Sequence, residues 1–100
     1  ILFADCRVKA GAVVDLTIFD KNVQVGAGSA IGAGENDAVV NRQHPKHLYT
    51  GISLVGKGVD MPAGIRVGRN CIVNSYCRQD SFSRTEIRDG ESLFQDGEIS

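Results

Sequence analysis

The stretch Val25-Gly26-Ala27-Gly28-Ser29-Ala30-Ile31-Gly32-Ala33-Gly34 decides the fold. An aliphatic residue followed by glycine recurs after six positions, with small residues between. A helix would space its apolar residues by three and four, and a half-buried strand would alternate by two; a sustained six is neither alone. Short repeats with glycine at a fixed offset mark a β-solenoid, in which each repeat supplies one flat side of a coil.

The register extends in both directions. Phe19 lies one step before Val25, and the period reappears at Val55, Met61, Val67 and Val73. Toward the start, Leu2, Val8 and Val14 stand six apart, with a five-residue step from Val14 to Phe19. Four places after every anchor but Ile31 the residue is small or aliphatic: Cys6, Ala12, Ile18, Val23, Ser29, Val59, Ile65, Cys71 and Cys77. Three six-residue sides close a triangular coil of eighteen residues. Anchors and their small partners then point inward, and coils stack about 4.8 Å apart, the spacing of hydrogen-bonded strands. Glycines after the anchors serve the corners, where the backbone turns sharply.

Composition agrees with a narrow core. Hydrophobic residues make up 42% of the 100 positions, with 12 glycines and 6% aromatics, so Val, Ile, Ala and Cys must fill the interior. A net charge of -1 gives no reason to expect nucleic acid or an anionic membrane as partner. No apolar run approaches the roughly 20 residues of a membrane span. The chain starts at Ile1 in mid-repeat, so the reading is a piece of a longer protein with a preceding domain. Cys6, Cys71 and Cys77 all fall on small inward positions and match no usual zinc spacing. They read as reduced core residues, which points to the cytoplasm.

Residues 1–78 therefore read as the β-helix, about three to four coils. Residues 37–54, with Arg42, His44, Lys46 and His47 around Pro45, break the period and read as an extruded loop. Eighteen residues equal one coil, so the excursion can replace a turn and rejoin in register. Residues 79–100 read as a capping tail: Asp89-Gly90 between Thr85-Glu86-Ile87 and Ser92-Leu93-Phe94 is a hairpin signal, with Phe82, Leu93 and Phe94 over the last coil. The glycines of residues 25–34 imitate a phosphate loop, but no GK[ST] and no helix follow them.

The repeat resembles the hexapeptide-repeat, left-handed parallel β-helix proteins. The order of AVVDLTIFDKNVQVGAG, NRQHPKHLYTGI and SLVGKGVDMPAGIRVGRNCIV looks like the C-terminal domain of glucose-1-phosphate adenylyltransferase. That resemblance covers roughly residues 1–78. It implies a left-handed all-β coil that supports oligomer assembly (a tetramer in the family) and allosteric control by phosphorylated metabolites. It implies too an N-terminal nucleotidyltransferase domain, outside these residues, using ATP and Mg2+; no catalytic residue, metal or cofactor is expected in this chain itself.

Two lysines carry over. In plant and cyanobacterial-type members, lysines in the segments matching IFDKN and LVGKG contact the activating phosphate ester; here these are Lys21 and Lys57. Each stands two places after an anchor, an outward position. They are expected in one column, one or two rungs apart, with Arg42, His44 or Lys46 leaning in. Lysines at exposed corners are also ordinary solvating residues. Two other readings compete. One is an acetyl-CoA-dependent acyltransferase with His44 or His47 as general base. The other is a purely structural oligomerisation module. A mannose-1-phosphate guanylyltransferase also ends in a similar solenoid.

Overall fold

A computed structural model of the chain describes residues 5–33, 39–44, 46 and 51–100. Among these residues every regular element except one 3-10 turn is a short β-strand. The strands are β1 (Arg7–Val8), β2 (Val13–Val14), β3 (Thr17–Phe19), β4 (Gln24–Val25), β5 (Ala30–Ile31), β6 (Ser53–Val55), β7 (Arg66–Val67), β8 (Ile72–Val73), β9 (Glu86–Ile87) and β10 (Ser92–Leu93). All pair in parallel, in three sheets: β1-β4, β2-β5-β7-β9 and β3-β6-β8-β10. The chain visits the sheets in that order on each circuit, which is a parallel β-helix. The first sheet continues as a bridge from Gln24 to Asp60.

The core is the stack of anchors. Phe19, Val25, Ile31, Val67 and Val73 are 0% exposed, and Val55 and Met61 nearly so. Val8 and Val14 lie in the first described coil, covered from one side only, and Val8 remains 39% exposed. Leu2 lies outside the described residues. Among the inward partners Val23, Val59, Cys71 and Cys77 are fully buried. The inward serines bridge rungs: Ser53 Oγ donates to Gly68 O at 2.7 Å and accepts from Cys71 N at 3.1 Å. Ser29 Oγ likewise accepts from Ile65 N at 3.1 Å.

Ile18 departs from its assigned inward place. Thr17 and Phe19 are buried while Ile18 faces outward, half-buried. In a six-residue step the position four after one anchor is also two before the next, so both point inward. The five-residue step from Val14 to Phe19 breaks that identity, and strand alternation then decides which side chains enter the core.

The loop does not replace a coil. Residue spacing between stacked rungs is 17 from β2 to β5, pairing Val13 with Ala30, and 36 from β5 to β7, pairing Ala30 with Arg66. β6, after the loop, stacks directly on β3 with Phe19 opposite Val55. The loop is thus inserted at one corner, between the second and third sides of the second coil, and β6 supplies that coil's third side.

The tail also differs. β9 pairs with β7 and β10 with β8, both parallel, so residues on either side of Asp89-Gly90 belong to different sheets and form no hairpin. Asp89-Gly90 is a corner: Gly90, at φ +78°, donates its N–H to Arg69 O. The stacking runs to Leu93, which is 0% exposed above Val73 rather than lying over it as a lid. A true antiparallel return does close the chain, with Ser92 and Ser100 exchanging backbone hydrogen bonds at 2.8 and 2.9 Å. It covers the open edge of β10, a device that protects unpaired strand edges.

Candidate functional site: the lysine corner

The corner following the third sheet is built the same way on three rungs. Two places after Phe19 and Val55 come Lys21 and Lys57, and three places after come Asn22 and Gly58, with Tyr76 three after Val73. All three last residues sit in the left-handed region, at φ 59°, 72° and 63°. Gly58 N donates to Lys21 O at 2.9 Å, and Tyr76 N donates to Lys57 O at 2.8 Å. Lys21 and Lys57 are therefore corner neighbours on adjacent rungs, with backbones roughly 5 Å apart. Both side chains are exposed.

Their electrostatic setting differs from that of the paired arginines and is shared with Arg7, Lys9 and Lys46, which no carboxylate approaches within 4 Å among the described residues. Arg42, Arg66, Arg69, Arg78, Arg84 and Arg88 each stand within 4 Å of a carboxylate. Among the described residues neither Lys21 nor Lys57 has such a partner. Asp20, beside Lys21, is turned to its own backbone, accepting from Lys21 N at 2.7 Å. Two unpaired ammonium groups on adjacent rungs can share one dianion, because each supplies up to three donors without a competing carboxylate.

The loop residues go elsewhere. Arg42 N donates to Gly90 O at 3.0 Å, and its guanidinium lies 3.9 Å from Glu91, at the corner between the second and third sheets. That places it on the fourth coil, away from the lysines, where Glu91 also receives Arg84. His44 is exposed, its backbone N–H held by Asn41 Oδ1 at 3.0 Å, and Lys46 is exposed. His47 lies outside the described residues. The expectation that Arg42 leans toward the lysines is not met, because its backbone is pinned at a different corner.

Two buried asparagines do the pinning. Asn41 Nδ2 donates to Asn70 O at 3.0 Å and to Ser92 Oγ at 3.1 Å. Asn70 receives the far end of the loop, its Oδ1 accepting from Gly51 N at 2.8 Å, and donates to Val39 O at 2.9 Å.

Residue reasoning missed Tyr76 and Arg78 at the lysine corner. Tyr76 stands at the same offset from its anchor as Asn22 and Gly58, so the register could have placed it there. Arg78 Nη1 donates to Gly58 O at 3.2 Å and faces Asp60 at 3.9 Å. The three cysteines are free thiols; burial pushes Cys71 and Cys77 from the ordinary 9.0 up to about 11. No group of three His, Cys, Asp or Glu residues able to hold a metal occurs among the described residues. Nor is any helix there long and apolar enough to cross a membrane.

No family model and no solved structure matches the chain. Two curated proteins do. The chain is 36% identical over 93 residues to a glucose-1-phosphate adenylyltransferase of Thermomicrobium roseum, covering 93% of this chain and 22% of that protein. It is 29% identical over 99 residues to a glucose-1-phosphate adenylyltransferase of Acetivibrio thermocellus, covering 98% of this chain and 22% of that protein. The chain thus spans about a fifth of the length of the curated relatives it matches, and the likeness extends beyond residues 1–78 into the fourth coil. Over nearly its whole length, the chain is related to about a fifth of the glucose-1-phosphate adenylyltransferase sequence.

Proposed function

We propose that the chain is the C-terminal, left-handed β-helix domain of a glucose-1-phosphate adenylyltransferase-like sugar nucleotidyltransferase, serving oligomer assembly and allosteric control of ADP-glucose synthesis. The catalytic domain, with its ATP and Mg2+, lies outside this chain, and the assembly works in the cytoplasm. Phosphorylated metabolites bind at the lysine corner and bias the coupling between this domain and its catalytic neighbour.

The observation that carries this reading is the stacking of Lys21 on Lys57, each without a carboxylate partner. Lysines that merely solvate a corner need no such alignment. The test is thermal melting of this chain with millimolar 3-phosphoglycerate or fructose 1,6-bisphosphate. A ligand that binds the folded state alone raises the midpoint, and Lys21→Glu or Lys57→Glu should abolish the rise. An unchanged midpoint with every ester, or a rise that survives both charge reversals, refutes the reading.

A further inference from the structure

The outer face of the second sheet carries a cleft of about 590 Å3, bordered by the guanidiniums of Arg42, Arg66 and Arg88. The register of the coil brings two of them there. Arg66 is the exposed residue of β7 and pairs with Glu86 on the next rung. Arg88, two places after Glu86, is on the same outer side and exposed. Arg42 comes from the loop, its backbone fixed by the bond from its N–H to Gly90 O and by the buried side chain of Asn41 beside it. Gly68 gives the cleft a floor without a side chain; a Cβ there would stand 2.2 Å from Asp89 Oδ1.

The neighbouring carboxylates leave these cations largely unspent. Glu91 already accepts from Arg84 Nη2 at 2.5 Å and from Arg88 N at 2.7 Å, and Arg42 approaches it only to 3.9 Å. Arg66 and Arg88 share Glu86, at 3.7 and 3.6 Å. Those separations are ion pairs but lie beyond hydrogen-bonding range. Asp89 Oδ1 is turned to the backbone N–H of Arg69 at 2.8 Å. The side chains of Arg42 and Arg88 are 65% and 71% exposed, and loose pairs so exposed are worth little. A better anion can therefore replace them at small cost.

We propose that this cleft binds a small polyvalent oxyanion, a compound bearing two or more phosphate or carboxylate groups. One group sits on Arg42 at the loop side and another on Arg66 and Arg88 at the sheet side. The site lies on the second sheet and is independent of the lysine corner. A guanidinium keeps its charge and offers paired N–H groups that match such oxygens, and the cleft has the size of a small-molecule site. A single anionic group satisfies one wall and must displace Glu86 unaided, whereas a polyvalent anion spans both walls. Its binding would tie the loop to the body of the coil.

The test is calorimetric titration of this chain carrying Lys57→Glu, which removes the other candidate anion site, at low ionic strength. Tripolyphosphate and citrate serve as probes that distinguish phosphate from carboxylate, with inorganic phosphate as the single-group control. At least one polyvalent probe should bind saturably at one site, about ten-fold or more tighter than inorganic phosphate, and weaken as salt is added. Arg42→Gln and Arg88→Gln should each lower that affinity at least about five-fold. Both residues are exposed, so circular dichroism melting should show the fold kept. No saturable binding of either polyvalent probe, affinity no greater than that of inorganic phosphate, or binding indifferent to both arginine changes overturns the proposal.

Discussion

Replacing Asn41 by alanine should be among the most damaging single changes outside the core. Its side chain is fully buried and makes four hydrogen bonds. Nδ2 donates to Asn70 O and Ser92 Oγ, and Oδ1 accepts from the backbone N–H groups of Gln43 and His44, both at 3.0 Å. Gln43 and His44 are exposed, so water can replace Oδ1 at little cost. Asn70 and Ser92 are 0% exposed, and their orphaned acceptors meet no water. Each unsatisfied buried partner costs about 1–3 kcal/mol, but Ser92 can turn its hydroxyl and Asn70 O has only one lone pair to refill. We therefore expect a loss of about 2–3 kcal/mol, a fall of roughly 8–24 °C in melting midpoint for a domain of this size. Urea unfolding followed by far-ultraviolet circular dichroism measures it. Asn41→Asp keeps the acceptor and loses both donors, so it should be as harmful as alanine. A loss below about 0.5 kcal/mol for Asn41→Ala, the level of an ordinary surface change, would show that the loop is not anchored through this residue.

Other outcomes follow from the same geometry. Gly32→Ala should cost at least about 2 kcal/mol in denaturant unfolding, because φ is +73° and the new Cβ would stand 1.8 Å from Asp15 O. Ser29→Asp places a charge at a site 1% exposed and should cost several kcal/mol, whereas Lys57→Ala should stay within about 0.5 kcal/mol; equal costs would show the register to be misassigned. Cys71 and Cys77 should resist iodoacetamide at pH 8 in the folded chain and react once it is unfolded in urea, since the thiolate is the nucleophile and burial raises both thiols to about 11. The same shift makes stability depend on pH. The neutral thiols favour the fold fully below the ordinary value of 9.0, and their contribution is lost as pH rises from there toward about 11. Cys71→Ala should flatten that part of a stability-versus-pH curve.

The coil was legible because its signal is redundant. Each anchor from Phe19 to Val73 repeats the same choice, and each is held by neighbours above and below that make it too, so one irregular hexad does not hide the rest. The lysine pair was legible for the same reason: an offset from the anchor fixes both direction and column. Ile18 was misplaced where the step shortened to five, because two rules that agree at six disagree there. The fourth coil was hidden by lengthening. The stacked partners Val67 and Ile87, like Val73 and Leu93, are twenty residues apart, the extra residues being taken up around a 3-10 turn at Gln79–Ser81. Asp89-Gly90 then reads as a hairpin, since a corner of a solenoid and a tight turn ask for the same small or left-handed residues.

The course of the loop could not be read at all, and the reason is physical. A corner insertion leaves the strands on either side in register whatever its length, so nothing in the anchors records where it goes. Its destination is set by Asn41 and Asn70, two polar residues whose burial makes sense only when each has the other's segment as partner. Asn70 looks like an ordinary corner residue, at φ 55°, and Asn41 like an ordinary loop residue. Only their joint placement satisfies the Gly51 N–H and the Val39 and Asn70 carbonyls. That pinning also carries Arg42 to Glu91, on the fourth coil and away from the lysine corner. The corner is left with two lysines below and Tyr76 with Arg78 above, all supplied by the rungs themselves.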